Sequence, residues 1–299
     1  MTASLKHISV CICAFRRPRH LKWLLEHLER QRTGDRFSFS IIVTDNDHEQ
    51  SSHDAVAEFA STSRIAVTYS CEDRQNISLA RNEALRHANG DFVAFIDDDE
   101  FPDAGWLMEM LDALERYQAA GVLGPTQPRY ERPPPRWIVE GRFWERPDRK
   151  TGCILKWNDC RTANVLFRRE ILDGLHEVFD PIFGSGGEDQ DFFRRMMLSG
   201  HVFRWCNEGY VHETIPTERC TRTYLLKRAM LRGRNSLNQP PGRVRLAFQS
   251  VLAVPVYLSV LPFALVFGQH VFMKYSVKLC DHMGRILALV GLNPVREWT

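Results

Sequence analysis

The chain has 299 residues, with 39 Lys and Arg against 37 Asp and Glu for a formal net charge of +2, and with 25% charged and 11% aromatic residues; its mean hydropathy is −0.31. That profile excludes collagen-like, low-complexity and generally disordered chains, and the near balance of sign gives no support for a nucleic-acid partner. The 8 cysteines show no paired CxxC spacing, so they read as reduced cytosolic thiols and not as a zinc site or a disulfide scaffold.

In chain order, the first half alternates short apolar runs with helical patterns, the signature of stacked β-α units and a mostly parallel sheet. Residues 8–15, ISVCICAF, read as a buried strand and not as a signal peptide, because no small-residue cleavage site follows. Beyond Pro18, Leu21, Leu24, Leu25 and Leu28 recur at helical spacing. A second strand, 39–45, ends on Asp45, and a third covers 65–70. A helix is predicted over 78–87, then a Gly90-Asp91 turn and a strand over 92–96 that runs into Asp97, Asp98, Asp99 and Glu100. Asp103 is the predicted N-cap of a helix carrying Leu107, Met110, Leu111 and Leu114. Residues 125–150 mix six prolines with Tyr130, Trp137, Phe143 and Trp144, which suits a shaped surface loop. Regular pattern resumes over 164–172, and a Gly-rich turn at 183–187 opens a helix beginning EDQDFFRRM. A strand over 201–206 precedes His212, a basic stretch occupies 219–245, and residues 246–273 contain no Asp, Glu, Lys or Arg.

Ligands of open parallel sheets bind beyond the carboxyl ends of the strands, where Asp45 and the Asp97–Asp99 run fall. Adjacent carboxylates after a buried strand repel one another, and a divalent cation is the simplest compensation, an exposed acidic turn being the alternative. Glu188, Asp189 and Asp191 sit in the first turn of a helix, where its dipole favours negative charge. Capping alone would account for them, but a metal-and-phosphate site also needs a separate carboxylate to take a proton from a nucleophile. His212 is a candidate third metal ligand on the same reasoning.

Taken together, SVCICAFRRPRHL, IIVTDND, ISLARNEALRHANGDFVAFIDDDE and GGEDQDF, in that order and spacing, resemble the family-two inverting glycosyltransferases with a GT-A fold, over roughly residues 7–215. The basic stretch and apolar tail resemble the succinoglycan type of bacterial exopolysaccharide glycosyltransferase. The resemblance implies an α/β nucleotide-diphospho-sugar transferase fold. It also implies metal-dependent transfer of a sugar, with inversion, from a nucleotide sugar, a UDP-sugar first, to an acceptor hydroxyl. Cys13, Ala14 and Phe15 would line the base, Asp45 would accept a hydrogen bond from it, and Arg81 would lie near base or phosphates. Asp97 and Asp99 look like the DxD pair holding Mg²⁺ or Mn²⁺, with Asp97 and Asp98 also facing the donor and His212 similar to a metal-binding histidine of some relatives. Asp189 is the expected base and Glu188 the next choice. Two departures stand out: Cys13-Ala14-Phe15-Arg16 replaces the usual Pro-Thr-Tyr-Asn, and the QxxRW element of processive synthases is missing, which favours one sugar per encounter.

The expected organisation is a catalytic domain over 1–218, a basic amphipathic collar over 219–245 and an apolar membrane-associated tail over 246–299. The collar's cations suit anionic head groups or the diphosphate of a polyprenyl-linked glycan acceptor. For 246–273 three readings compete: a kinked spanning helix, a re-entrant or in-plane membrane helix, and a buried core hairpin. The catalytic domain is expected on the cytoplasmic face of the inner membrane, where nucleotide sugars are made. The rival functions are a sugar nucleotidyltransferase, which would need a Gly-rich phosphate loop that residues 14–17 do not supply, and a catalytically silent membrane scaffold of the same fold.

Overall fold

Lys6–Ala14 (β1) is apolar on consecutive positions because both of its faces are covered. Ile8, Val10 and Ile12 point into one hydrophobic cluster and Cys11 into another. The computed structural model describes residues 5–147, 149–238, 242–293 and 295. They divide into two compact units, one of Met1–Gln127, Arg146–Gly184 and Glu188–Glu213, the other of Pro128–Glu145, Ser185–Gly187 and Thr214–Thr299.

In the first unit β1 is followed by Pro18–Glu29 (α1), Phe37–Asp45 (β2), His53–Thr62 (α2), Ala66–Cys71 (β3), Ile77–His87 (α3), Phe92–Phe95 (β4), Glu100–Pro102 (β5), Trp106–Arg116 (α4) and Gly121–Leu123 (β6). In chain order come Thr126–Tyr130 (β7) and, within the second unit, Arg136–Gly141 (α5), then Val165–Arg168 (β8), Glu188–Leu198 (α6), Phe203–Trp205 (β9) and Val211–Ile215 (β10). A seven-stranded sheet runs β3-β2-β1-β4-β8-β6-β9. Pairings β1–β2, β2–β3, β1–β4 and β6–β9 are parallel, and β8 is antiparallel to both β4 and β6. The α/β class expected from the alternation is therefore observed. Helix α1 starts on Pro18, whose missing N–H costs nothing there, and buries the predicted stripe Leu21, Leu24, Leu25 and Leu28.

Two local expectations are corrected, and one helix was not foreseen. Asp103 does not cap α4: the helix starts at Trp106 behind Gly105 with no side-chain cap. The Asp103 carboxylate instead accepts from the Tyr210 hydroxyl, and its carbonyl from Trp106 N at 3.0 Å. Helix α2 escaped the pattern reading because only Val56 and Phe59 of its ten residues are buried. The proline-rich stretch is not all loop: β7 and α5 form in it, and Trp137, Ile138 and Trp144 are buried in a cluster with Leu225 and Met273. Prolines 133–135 stop just short of α5, where a rigid extended entry suits a helix start.

The second unit also contains Arg222–Asn235 (α7), Arg243–Ala264 (α8) and Gln269–Leu289 (α9). The uncharged run is interrupted at Gly268, which adopts φ 106°, a region open to glycine at no steric cost. Helix α9 folds back antiparallel on α8: the Ser250 hydroxyl meets His282 Nδ1 at 3.0 Å, and Tyr257 faces both Tyr275 and His282. On its other side α9 crosses α7 at two glycines. A Cβ at Gly233 would stand 2.0 Å from the Asp281 carbonyl oxygen, and one at Gly284 2.1 Å from that of Met230. Arg232 and Asp281 add an ion pair at 2.6 Å. The buried-hairpin reading does not hold: over the most apolar stretch of Arg243–Phe267 only 11% of residues are buried.

Candidate active site

Parallel register carries the ends of three strands to one edge, with Ala14 beside Asp45 and Cys11 beside Phe95. The chain runs β1 to β3 in one direction and then returns to place β4 on the other side of β1, so the topological switch point lies between β1 and β4. The loops leaving these two strands meet there. Phe15 N donates to Asp98 Oδ2 at 3.2 Å, and Arg17 Nη1 donates to Asp98 Oδ1 at 2.9 Å and Asp99 Oδ2 at 2.8 Å. One guanidinium thus joins two neighbouring carboxylates of the acidic run.

Helix α3 supplies the second cation. Asn76 caps it, accepting from Ser78 N at 3.0 Å and Leu79 N at 3.2 Å. One turn further along, Arg81 is buried, forming an ion pair with Glu188 and lying 3.8 Å from Asp97. It links the end of β4 to the first turn of α6. Glu188 Oε1 accepts from Arg81, while Glu188 Oε2 is buried with no hydrogen-bond partner. Asp189 is half-buried, accepts from Gln190 N at 2.7 Å and lies 3.7 Å from Arg161.

Crowding of carboxylates in an enclosed space raises their proton affinity. Burial pushes Asp98 up to about 7, with Arg17 opposing and Asp99 reinforcing the shift. Burial also raises Glu188, against the pull of Arg81. The Cys13 thiol is pushed up to about 12, by burial first, with Arg81 opposing and Asp97, Asp98 and Glu188 reinforcing.

The site residues expected from the sequence therefore fall into two sets. Asp97, Asp98, Asp99, Arg81, Glu188 and Cys13 come together. Phe15 stands at the same mouth, half-buried under the Arg16 guanidinium at 5.2 Å. Ala14 and Asp45 face inward: both are fully buried, Ala14 O accepts from Asn46 N at 2.8 Å, and Asp45 accepts from Ser52 N at 2.7 Å, Asp47 N at 3.2 Å and the Tyr69 hydroxyl at 3.3 Å. The carboxylate of Asp45 is thus held by the chain's own donors. His212 lies on β10 opposite Phe101 of β5, its ring 5.5 Å from that of Tyr210. Among the described residues no three His, Cys, Asp or Glu side chains converge as a preformed metal site. Arg17 and Arg161 escaped the sequence reading; for Arg17 the available signal was a cation between a strand end and the Pro18 helix start, facing an acidic run.

Residues 9–175 match the family model described as Glycosyl transferase family 2. The chain is 31% identical over 307 residues to the succinoglycan biosynthesis protein ExoM of Rhizobium meliloti (strain 1021), covering 98% of this chain and 96% of that protein. It is 25% identical over 214 residues to glycosyltransferase AglE of Haloferax volcanii, covering 70% of this chain and 67% of the other. Among solved structures, S. aureus TarS 1-349 in complex with UDP superimposes with a TM-score of 0.56 at 15% identity, over 96% of this chain and 93% of that one. The last likeness bears on the fold.

Proposed function

The chain belongs to glycosyl transferase family 2 and is a glycosyltransferase related to exopolysaccharide synthases, and we propose that it moves one sugar per encounter, with inversion, from a nucleoside diphosphate donor to a hydroxyl of a lipid-linked glycan. A UDP-sugar is the first donor to test, since UDP is bound in the TarS complex. The observation that carries the reading is Arg81, buried between Asp97 and Glu188. It ties the acidic strand end that suits a donor diphosphate to the helix start that suits an acceptor.

Asp189 is proposed as the base. It is the more accessible of the two carboxylates at the start of α6, whereas Glu188 is committed to Arg81. Its carboxylate would take the proton of the acceptor hydroxyl as the oxygen attacks the anomeric carbon and the bond to the diphosphate breaks. Glu188 and Arg81 would hold the first turn of α6 in place, and Arg17 would offer a cation at the donor mouth.

The acidic run also fits a divalent metal. Its donors are hard carboxylate oxygens, and burial and crowding hold Asp98 well above the ordinary carboxylate range, a condition a cation relieves. Mg²⁺ and Mn²⁺ sites of this kind use one or two carboxylates and complete their shell with substrate phosphates, so a preformed triad is not required. Asp97 and Asp99 would hold the ion, with His212 as a further candidate. When bound, the metal supplies charge stabilisation to the departing diphosphate.

For the second unit the reading is association with the cytoplasmic face of the inner membrane, with α8 lying in the interface. Val244, Phe248, Val251, Val256 and Phe263 are all more than half exposed. Helix α9, packed along α8, carries Lys274, Lys278, Asp281 and Arg285, which a crossing hairpin would drag into hydrocarbon at considerable cost. The deciding experiment is a panel of nucleotide sugars with Mn²⁺, assayed for donor binding and for transfer. Asp189→Asn is expected to keep donor binding and lose transfer by about 10²- to 10⁴-fold; full transfer in that variant would remove Asp189 from the role of base.

A further inference from the structure

Two consecutive arginines leave β1 toward opposite neighbours. Arg16 takes a left-handed backbone, φ 54°, and its guanidinium pairs with Asp47 at 3.2 Å and Glu49 at 3.9 Å, beyond the end of β2. Arg17 turns to the acidic run beyond β4, where Nη1 alone meets both Asp98 Oδ1, at 2.9 Å, and Asp99 Oδ2, at 2.8 Å. The Arg17 side chain is 39% exposed, whereas those of Asp98 and Asp99 are 6% and 10% exposed. Its main chain is fixed, because Arg17 immediately precedes Pro18 and its carbonyl accepts from Leu21 N at 3.0 Å at the start of α1. The carboxylates are thus enclosed, while the guanidinium stands on a flexible stem that reaches solvent. Of the three groups it is the one that can leave. Asp98 also accepts from Phe15 N at 3.2 Å, so it keeps a donor when Arg17 moves.

Asp99 is also one of the two carboxylates proposed for the divalent ion. A divalent cation and a guanidinium on the same carboxylate repel one another, the more so away from bulk water, so Arg17 competes with a metal for Asp99. A displaced guanidinium finds a well-matched partner in a diphosphate, which it meets through paired, charge-assisted hydrogen bonds. We propose that Arg17 is an exchangeable counter-ion of the acidic run: it holds Asp98 and Asp99, gives up Asp99 to the divalent ion, and passes to the diphosphate of the donor. Metal and nucleotide then each strengthen the binding of the other, since the coupling is reciprocal. The inference rests on the metal and the donor of the proposed function and adds the residue that couples them.

The test is Mn²⁺ affinity of the full chain, read by electron paramagnetic resonance of the unbound ion, with and without UDP. Without UDP, Arg17→Gln is expected to bind Mn²⁺ about tenfold more tightly than the wild type, the size of one charge-assisted hydrogen bond that no longer has to be displaced. In saturating UDP that advantage is expected to vanish, because the wild-type guanidinium has already moved to the diphosphate. Arg16→Gln removes an equal charge one position away and is expected to leave the affinity unchanged. Arg17→Lys, a single ammonium without the planar fork, is expected to shift the affinity the same way by less, and it carries the test should Arg17→Gln fail to fold. No gain in the Arg17 variants, an equal gain in Arg16→Gln, or a gain that persists in UDP overturns the proposal. If UDP binds and the gain is missing, the donor reading stands and the exchange fails. If no nucleotide binds while the gain is present, the donor reading fails and the competition at Asp99 stands.

Discussion

Arg81 is the residue on which the site's geometry turns. Its side chain and that of Glu188 are both buried, so each needs the other's charge. Arg81→Gln is expected to cost about 3–5 kcal/mol, because it strands a buried carboxylate, and Arg81→Gln/Glu188→Gln to recover most of that loss. Urea denaturation of the two single variants and the double variant checks the coupling, and additive losses would refute it. The thiols offer a pH test at the same scale. Burial pushes Cys13 and Cys206 up to about 12, and only the thiolate alkylates, so at pH 8 both are expected to react about 10³-fold more slowly than a free cysteine. The rate should rise about tenfold per pH unit as the thiolate fraction grows. Mass-spectrometric mapping of iodoacetamide adducts on the native chain would reveal it, and rapid labelling of either at pH 8 would contradict the burial.

Among the elements, α3 and α9 show how a local signal and a packing constraint divide the work. Asn76 starts α3 through its side-chain cap, a signal confined to the four residues 76–79, and the same helix then delivers Arg81 one turn later. Helix α9 is positioned instead by what is missing at Gly233 and Gly284, where α7 and α9 approach too closely for any side chain. Gly284→Leu is expected to destabilise the second unit by at least about 1–3 kcal/mol, the range for overpacking. The carbonyl it meets belongs to a helix backbone and cannot rotate away. Loss of the upper part of a thermal unfolding profile, with UDP stabilisation retained, would show the effect confined to α7–α9; an unchanged profile would refute the close crossing. Helix α8 carries the opposite pattern on the side away from α9, where Val244, Phe248, Val251, Leu252, Val256 and Phe263 are more than half exposed.

For the molecule as a whole, the proposed membrane contact depends on that outward face. Leu252 and Val256 are 55% and 58% exposed, so Leu252→Glu/Val256→Glu should fold normally and move the chain from the membrane fraction to the supernatant. An alkaline carbonate wash should release the intact wild type, because an in-plane helix lacks the anchoring of a crossing one. Retention after carbonate would favour a spanning arrangement. Much of the molecule was legible in the linear chain: the mostly parallel sheet and its first four strands, the stripe of α1, the carboxylates at strand ends, the family motifs and the apolar run. The strands, the stripe and the apolar run are encoded by neighbours a few positions apart, so periodicity exposes them, whereas the motifs were legible only by resemblance. What the tertiary structure decided is the company each charge keeps. Arg17 reaches Asp98 across 81 positions and Arg81 reaches Glu188 across 107; the enclosure of Asp45, the burial of Trp137 and Trp144, and the return of α9 along α8 are of the same kind. Contacts of that range depend on the path of the whole chain and on which surfaces remain to be covered, and no local pattern of residue types carries that information.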